Sequence, residues 1–92
     1  MAHGEELLIV DGTPAHRDGM KRLFDGEGYV CTAVDTISDA RDQVVRKFFP
    51  AAVVDVDVER PGAGLDLVRL IRERSPKTAI VVVTVRRTFE LA

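Results

Sequence analysis

The chain alternates short apolar runs with segments whose apolar residues recur at helical spacing, and this alternation most constrains its fold. Four runs have the composition of buried strands: Glu6–Val10, Tyr29–Val34, Ala51–Val54 and Ala79–Val83. Strands that alternate with helices predict a parallel sheet with right-handed crossovers and helices on both faces. Continuous apolar runs are typical of strands buried on both faces. We therefore predict an α/β fold.

Caps, breakers and apolar stripes mark the helical segments between these runs. Thr13 and Pro14 predict a cap followed by proline at the first helical position. A loop is expected over 60–64, a helix over Leu65–Arg74, and the opening of a further helix over Phe89–Ala92. The predicted stripes are Met20, Leu23 and Phe24 in the first helix, Ile37, Ala40, Val44 and Phe48 in the second, and Leu67, Val68 and Ile71 in the third.

Composition narrows the class of protein further. The 92 residues are enough for one small domain, and the net charge of -2 does not indicate a nucleic-acid-binding surface. Cys31 is the single cysteine, so no internal disulfide is possible, and a reducing, cytoplasmic location is expected. No apolar run has the length of a signal peptide or a membrane span. His3 and His16 lie far from any metal-like group of residues and are given no role.

Acidic or hydroxyl side chains follow the first, third and fourth predicted strands. Asp11 closes the first strand, Asp55 closes the third with Asp57 shortly after it, and Thr84 closes the fourth. Because parallel strands end at a common edge, these side chains are expected to converge there, where α/β folds build their sites. Taken alone, Asp11 is either a metal ligand or an Asx-type cap of the turn before Pro14.

Four segments in the same order resemble the receiver domain of response regulators, the CheY-like family of two-component signalling. They are "LLIVDGTPAHRDGMKRLFDGEGY", "FPAAVVDVDV", "GLDLVRLIRERSP" and "AIVVVT". The resemblance implies a flavodoxin-like sheet of strand order 2-1-3-4-5 with helices on both faces. Relative to that family, residues 1–92 form one receiver-like domain without the fifth strand and the last helix.

The resemblance also implies roles for particular residues. Asp55 matches the phosphoacceptor aspartate, because four apolar residues precede it after a Phe-Pro pair. Asp57 is the alternative acceptor if the spacing to Pro61 is decisive. Asp11 and Asp55 match ligands of a Mg²⁺ ion, and Thr84 matches the family's switch hydroxyl.

Three departures from the family pattern bear on this site. Gly12 stands where the family has its second acidic residue, so Mg²⁺ binding is expected to be weak. Val85 stands where a small residue usually leaves room beside the phosphoryl group. The family's fifth-strand lysine has no counterpart within the 92 residues.

The implied function is that of a phosphorelay signalling module and not of an enzyme. A histidine kinase or phosphotransfer protein would supply the phosphoryl group, and a downstream protein or output domain would read the result. No membrane or direct nucleic-acid contact is expected, whereas self-association through the fourth strand or an uncovered helix face is. The alternative is a pseudo-receiver that acts as a docking or dimerisation domain without phosphorylation.

A second resemblance belongs to another class of protein. "VVDVDVE" and "VVVT" resemble two motifs of haloacid-dehalogenase-type phosphatases, in which Asp55 would be the nucleophile and Asp57 the general acid/base. Against this interpretation, the strand that carries both acids is the third and follows a complete βαβα unit. No later lysine or acidic pair completes such a site.

Overall fold

A computed structural model describes residues 2–84, which form one parallel sheet with helices on both faces. In chain order the elements are β1 (Glu6–Val10), α1 (Pro14–Gly26), β2 (Val30–Val34), α2 (Ile37–Arg46), β3 (Ala51–Asp55), α3 (Ala63–Arg74) and β4 (Ala79–Val83). The strand order is β2-β1-β3-β4, and every neighbouring pair is parallel. This confirms the α/β class and the first four positions of the flavodoxin-like order. The expectations for Val85 and Phe89–Ala92 lie outside the described residues.

The two faces of the sheet bury separate apolar clusters. The inner strands β1 and β3 contribute alternate residues to each face, as their twofold side-chain period requires. One cluster joins the sheet to α2 and α3 and includes Leu8, Val10, Ala40, Val54, Leu67 and Ile71. The other joins it to α1 and includes Leu7, Ile9 and Val53, with Met20 and Phe24 packed against them. The continuous apolar runs of β1 and β3 therefore reflect burial on both sides, whereas the edge strands β2 and β4 are partly exposed.

The second helix is shorter than its predicted stripe. It ends at Arg46, and Lys47 already has an extended backbone with φ -155°. Phe48, predicted on the buried stripe, is instead 53% exposed, whereas Phe49 is 2% exposed and joins the core. The prediction for Phe48 was wrong because the helix ends at Arg46 and the backbone at Lys47 is extended, so Phe48 no longer continues the helical stripe.

The third helix begins earlier than predicted, and the first helix leaves part of its apolar stripe exposed. Gly62 adopts a left-handed backbone, φ 78°, and caps α3, which starts at Ala63 instead of Leu65. In α1, Leu23 of the predicted apolar stripe is 60% exposed. Within residues 2–84, no helix combines the length and apolarity needed to cross a membrane.

Candidate functional site

The ends of β1 and β3 bring Asp11 and Asp55 next to each other. Val10 pairs with Val54 in the parallel register, so the residue that follows each strand position falls at the same level of the sheet edge. Neighbouring strands lie about 4.8 Å apart. Both aspartates are buried, with 2% exposure for Asp11 and 8% for Asp55. The predicted convergence of these two carboxylates is thus present.

Asp11 is held by the turn that leads into α1. Its Oδ1 accepts a hydrogen bond from the Thr13 amide at 2.8 Å, which is the Asx-type turn that the sequence allowed. Its Oδ2 faces the Nδ1 atom of His16 at 3.9 Å. Arg17 Nη1 donates to the main-chain oxygen of Asp11 at 2.9 Å.

His16 and Arg17 are neighbours of the site that the sequence analysis did not assign to it. His16 was given no role, yet it lies beside Asp11. The signal was the start of α1 at Pro14, directly after the acid. Helical side chains tilt toward the helix N-terminus, so residues of the first turn return toward the strand end that precedes them.

Asp55 is held by the loop that follows it. Its Oδ1 accepts the Asp57 amide at 3.0 Å, and its main-chain oxygen accepts the Val58 amide at 3.2 Å. Among the described residues, Oδ2 of Asp55 makes no hydrogen bond. Asp57 Oδ1 accepts the Gly62 amide at 2.9 Å, within the same loop. The Asp57 main chain therefore positions Asp55, and the Asp57 carboxylate braces the loop.

Thr84 directly follows β4 and lies at the same edge of the sheet as the two aspartates. Val83 pairs with Asp55, and the Val83 carbonyl accepts the Val56 amide at 2.9 Å. These contacts continue the sheet pairing one position past the end of β3. Thr84 is thereby placed one residue beyond the level of Asp55.

Glu59 is a second residue that the sequence analysis did not single out. It lies in the loop after Asp55, and its Oε1 accepts the main-chain amide of Ile37, the first residue of α2. Val58, immediately before it, is fully buried in the core. A lone glutamate in a Pro/Gly-rich loop carries no sequence signal for such a contact, because its partner is 22 positions away.

The carboxylate oxygens at this edge of the sheet suit a hard cation, but few residues supply them. Carboxylate oxygens are the ligands that Mg²⁺ and Ca²⁺ prefer, and Asp11 and Asp55 offer them side by side. Across residues 2–84, no three His, Cys, Asp or Glu side chains form a group that could hold a metal ion. Gly12 has room for a larger side chain, since a Cβ there would approach only Asp35 O, at 3.8 Å. A side chain larger than that of glycine would therefore fit at position 12.

The fold and the paired aspartates define a receiver-type module, and comparison with known families agrees. The model of the response regulator receiver domain matches residues 7–92, so the chain belongs to that family. Among curated proteins it is similar to the photosynthetic apparatus regulatory protein RegA of Rhodobacter capsulatus, with 37% identity over 79 residues. The match covers 85% of this chain and 42% of RegA. The chain thus spans less than half the length of this relative.

Solved structures show the same fold at low sequence identity. A response regulator from Burkholderia pseudomallei, with a phosphorylated aspartic acid, calcium ion and citrate, has a TM-score of 0.83 and 19% identity over 96% of this chain and 51% of its own. The response regulator TrrA of Thermotoga maritima, in complex with Mg(2+)-BeF, has a TM-score of 0.82 and 20% identity over 95% of this chain and 75% of its own. The receiver family assignment leaves the phosphatase interpretation without support.

Proposed function

We propose that the chain is a phosphoacceptor signalling module in which Asp55 receives a phosphoryl group from a histidine kinase or phosphotransfer protein. The observation that carries this proposal is the position of Asp55 at the end of β3, beside the buried Asp11. A downstream protein or output domain reads the modified state. The module works by conformational signalling in the cytoplasm and does not turn over a substrate.

The hydrogen bonds of Asp55 divide the tasks of its two oxygens. Oδ1 is held by the Asp57 amide, which leaves Oδ2 as the nucleophile. Oδ2 attacks the phosphorus of a phosphohistidine, the new P–O bond forms as the P–N bond breaks, and the bonding pair returns to the donor imidazole. The Asp57 amide then holds the carbonyl oxygen of the acyl phosphate.

Asp11 and Asp55 are the residues that would hold a Mg²⁺ ion. Magnesium keeps several waters and needs few carboxylates, so two adjacent aspartates fit it. When bound, the ion offsets the negative charge of the transferring phosphoryl group. Binding is weak because Gly12 supplies no third carboxylate. The solved relatives with calcium or magnesium support divalent ions at such sites in general.

Thr84 is the proposed switch residue. It follows Val83, which pairs with Asp55 across the β3–β4 contact. The Thr84 hydroxyl lies one residue beyond the level of Asp55, where it is placed to move toward the phosphorylated aspartate. Such a movement would change the relative populations of two conformations. The protein partner would read that change near the end of β4.

A second candidate function is docking or dimerisation that does not depend on phosphorylation. Two observations favour it: glycine at the position of the second acid, and the absence of a three-ligand metal group within residues 2–84. Val81 and Val82 of β4 are exposed apolar residues on which self-association would depend. The two functions differ in whether Asp55 accepts phosphate.

Chemical phosphorylation separates these functions. The chain is incubated with acetyl phosphate and Mg²⁺, trapped, and mapped by peptide mass spectrometry. We expect label on the Asp55 peptide, its loss in Asp55→Asn and its retention in the matched variant Asp57→Asn. Label that follows Asp57 would assign the alternative acceptor. No label in wild type, together with label in Gly12→Asp, would favour the docking module.

A further inference from the structure

Glu59 joins the loop that follows Asp55 to the beginning of α2. Its carboxylate accepts the Ile37 amide, while Thr36 Oγ1 accepts the Asp39 amide at 3.0 Å. Two side chains therefore satisfy different free amides at the start of one helix. Thr36 is the local cap that its position predicts, whereas Glu59 comes from a loop at the edge of the sheet. The helix start is thereby tied to the loop.

The backbone of Glu59 indicates that this contact is specific. Its φ of 65° lies in the left-handed region, and it is the one non-glycine residue with positive φ within residues 2–84. A residue without the special tolerance of Gly or Asn adopts that region only where its surroundings impose it. On one side the buried Val58 anchors the chain. On the other the Ile37 amide holds the side chain.

A continuous series of contacts runs from Asp55 to α2. The carboxylate of Asp55 holds the Asp57 amide, and its carbonyl holds the Val58 amide. Glu59 follows directly and reaches Ile37. A change at the Asp55 carboxylate therefore acts on Asp57 and Val58. Glu59 follows these residues directly and holds the start of α2.

We propose that Glu59 is a positioning residue that couples the geometry at Asp55 to the N-terminus of α2. The start of α2 then reports the state of the site, in addition to the edge near Thr84. Coupling between two positions is reciprocal in free energy, so loss of the Glu59 contact also alters the loop that holds Asp55. This inference goes beyond the proposed function and requires neither a phosphoryl donor nor a metal.

The test measures amide hydrogen exchange at Ile37 by ¹⁵N NMR, relative to the Leu8 amide in β1 as an internal reference for global opening. The perturbation at the site is Asp55→Ala, with the isosteric Asp55→Asn as a second variant. Each is introduced into wild type, Glu59→Ala, Glu59→Gln and Glu73→Ala. Glu73 is an exposed glutamate of α3, so Glu73→Ala removes the same charge away from the contact.

We expect Asp55→Ala to change relative exchange at Ile37 by about fivefold or more in wild type and Glu73→Ala, the scale of ordinary site-to-site coupling, whereas Asp55→Asn, which keeps an oxygen for the Asp57 amide, should change it less. In Glu59→Ala the change should fall below about twofold. Glu59→Gln retains an acceptor oxygen and should restore most of it, which a purely charge-based effect would not. An unresponsive Ile37 amide in wild type, or an equal response in Glu59→Ala, would overturn the proposal. Because no phosphate is used, that failure is distinct from failure of Asp55 as acceptor.

Discussion

Gly64 lies directly against the main chain of Asp55. A Cβ at position 64 would come within 2.2 Å of the Asp55 carbonyl oxygen and 2.8 Å of the Val56 Cα. The Gly64 amide also donates to the Val56 carbonyl at 2.8 Å. The start of α3 therefore packs on the end of β3 at a distance that only glycine permits.

Replacing Gly64 by alanine is expected to destabilise the fold and displace Asp55. The added methyl group overlaps backbone atoms that cannot rotate away, and overpacking of this kind costs roughly 1–3 kcal/mol. Urea denaturation of Gly64→Ala should show a lower free energy of unfolding than wild type. A free energy of unfolding equal to that of wild type would contradict the close approach.

Gly19 provides the matched control for this change. It also lies within a helix, α1, but a Cβ there would meet nothing within 4 Å. Alanine has a higher helix propensity than glycine, so Gly19→Ala should stabilise the chain by about 0.5–1 kcal/mol. The two glycine-to-alanine variants should thus shift stability in opposite directions.

Gly12→Asp is expected to strengthen Mg²⁺ binding by about tenfold or more. A third carboxylate near a divalent ion contributes on the order of 1–3 kcal/mol at the effective dielectric of a protein surface. The nearest atom to a Cβ at this position is 3.8 Å away, an ordinary contact, so the new side chain fits. Isothermal titration with MgCl₂ measures the difference in affinity.

Gly12→Asn separates the effect of charge from that of size. It adds a side chain of nearly the same shape without a negative charge, and it should leave Mg²⁺ affinity near that of wild type. Equal affinities for wild type and Gly12→Asp would show that position 12 does not contact the ion.

Cys31 is expected to react slowly with thiol reagents. Burial, together with the hydrogen bond and negative charge of Asp25, raises the pKa of its thiol from 9.0 to about 11. Because the thiolate is the reactive form, alkylation by iodoacetamide at pH 8 should be about a hundredfold slower than for an unperturbed cysteine. The rate should increase about tenfold per pH unit between pH 8 and 10.

Asp25→Asn tests the electrostatic part of this shift. Without the Asp25 charge, burial still raises the pKa of the Cys31 thiol, but Asp25 no longer adds to that shift and the Lys21 ammonium still lowers it, so the thiol should react faster than in wild type. Asp18→Asn removes a charge from the same helix and should leave the rate unchanged. A wild-type rate equal to that in denaturant would rule out the raised pKa.

The strands and the site edge could be predicted because their signals are local. A continuous apolar run followed by an acid identifies both a buried strand and its end, as at Asp11 and Asp55. Parallel topology then places those ends together without knowledge of any tertiary contact. The family resemblance added the assignment of the acceptor to Asp55 and of weak metal binding to Gly12, and both remain proposals.

The missed features depend on contacts between distant parts of the chain. Phe48 and Phe49 are the same residue type, so their chemistry does not predict which of them is buried. The extended backbone at Lys47 places Phe49 in the core and leaves Phe48 exposed. Gly64, in the first turn of α3, lies against the main chain of Asp55. Glu59 reaches a helix that no local pattern associates with it.

Burial of the inner strands on both faces has a consequence for how these strands reach their correct pairing register during folding. Where one face is polar, a one-residue slip exposes apolar side chains and is penalised. In β1 and β3 such a slip would only exchange one apolar face for the other. A slip that draws Asp11 or Asp55 further into the sheet would be penalised at the strand ends, because an unpaired buried charge is costly. These two acids therefore disfavour an incorrect strand register during folding, independently of any phosphoryl chemistry.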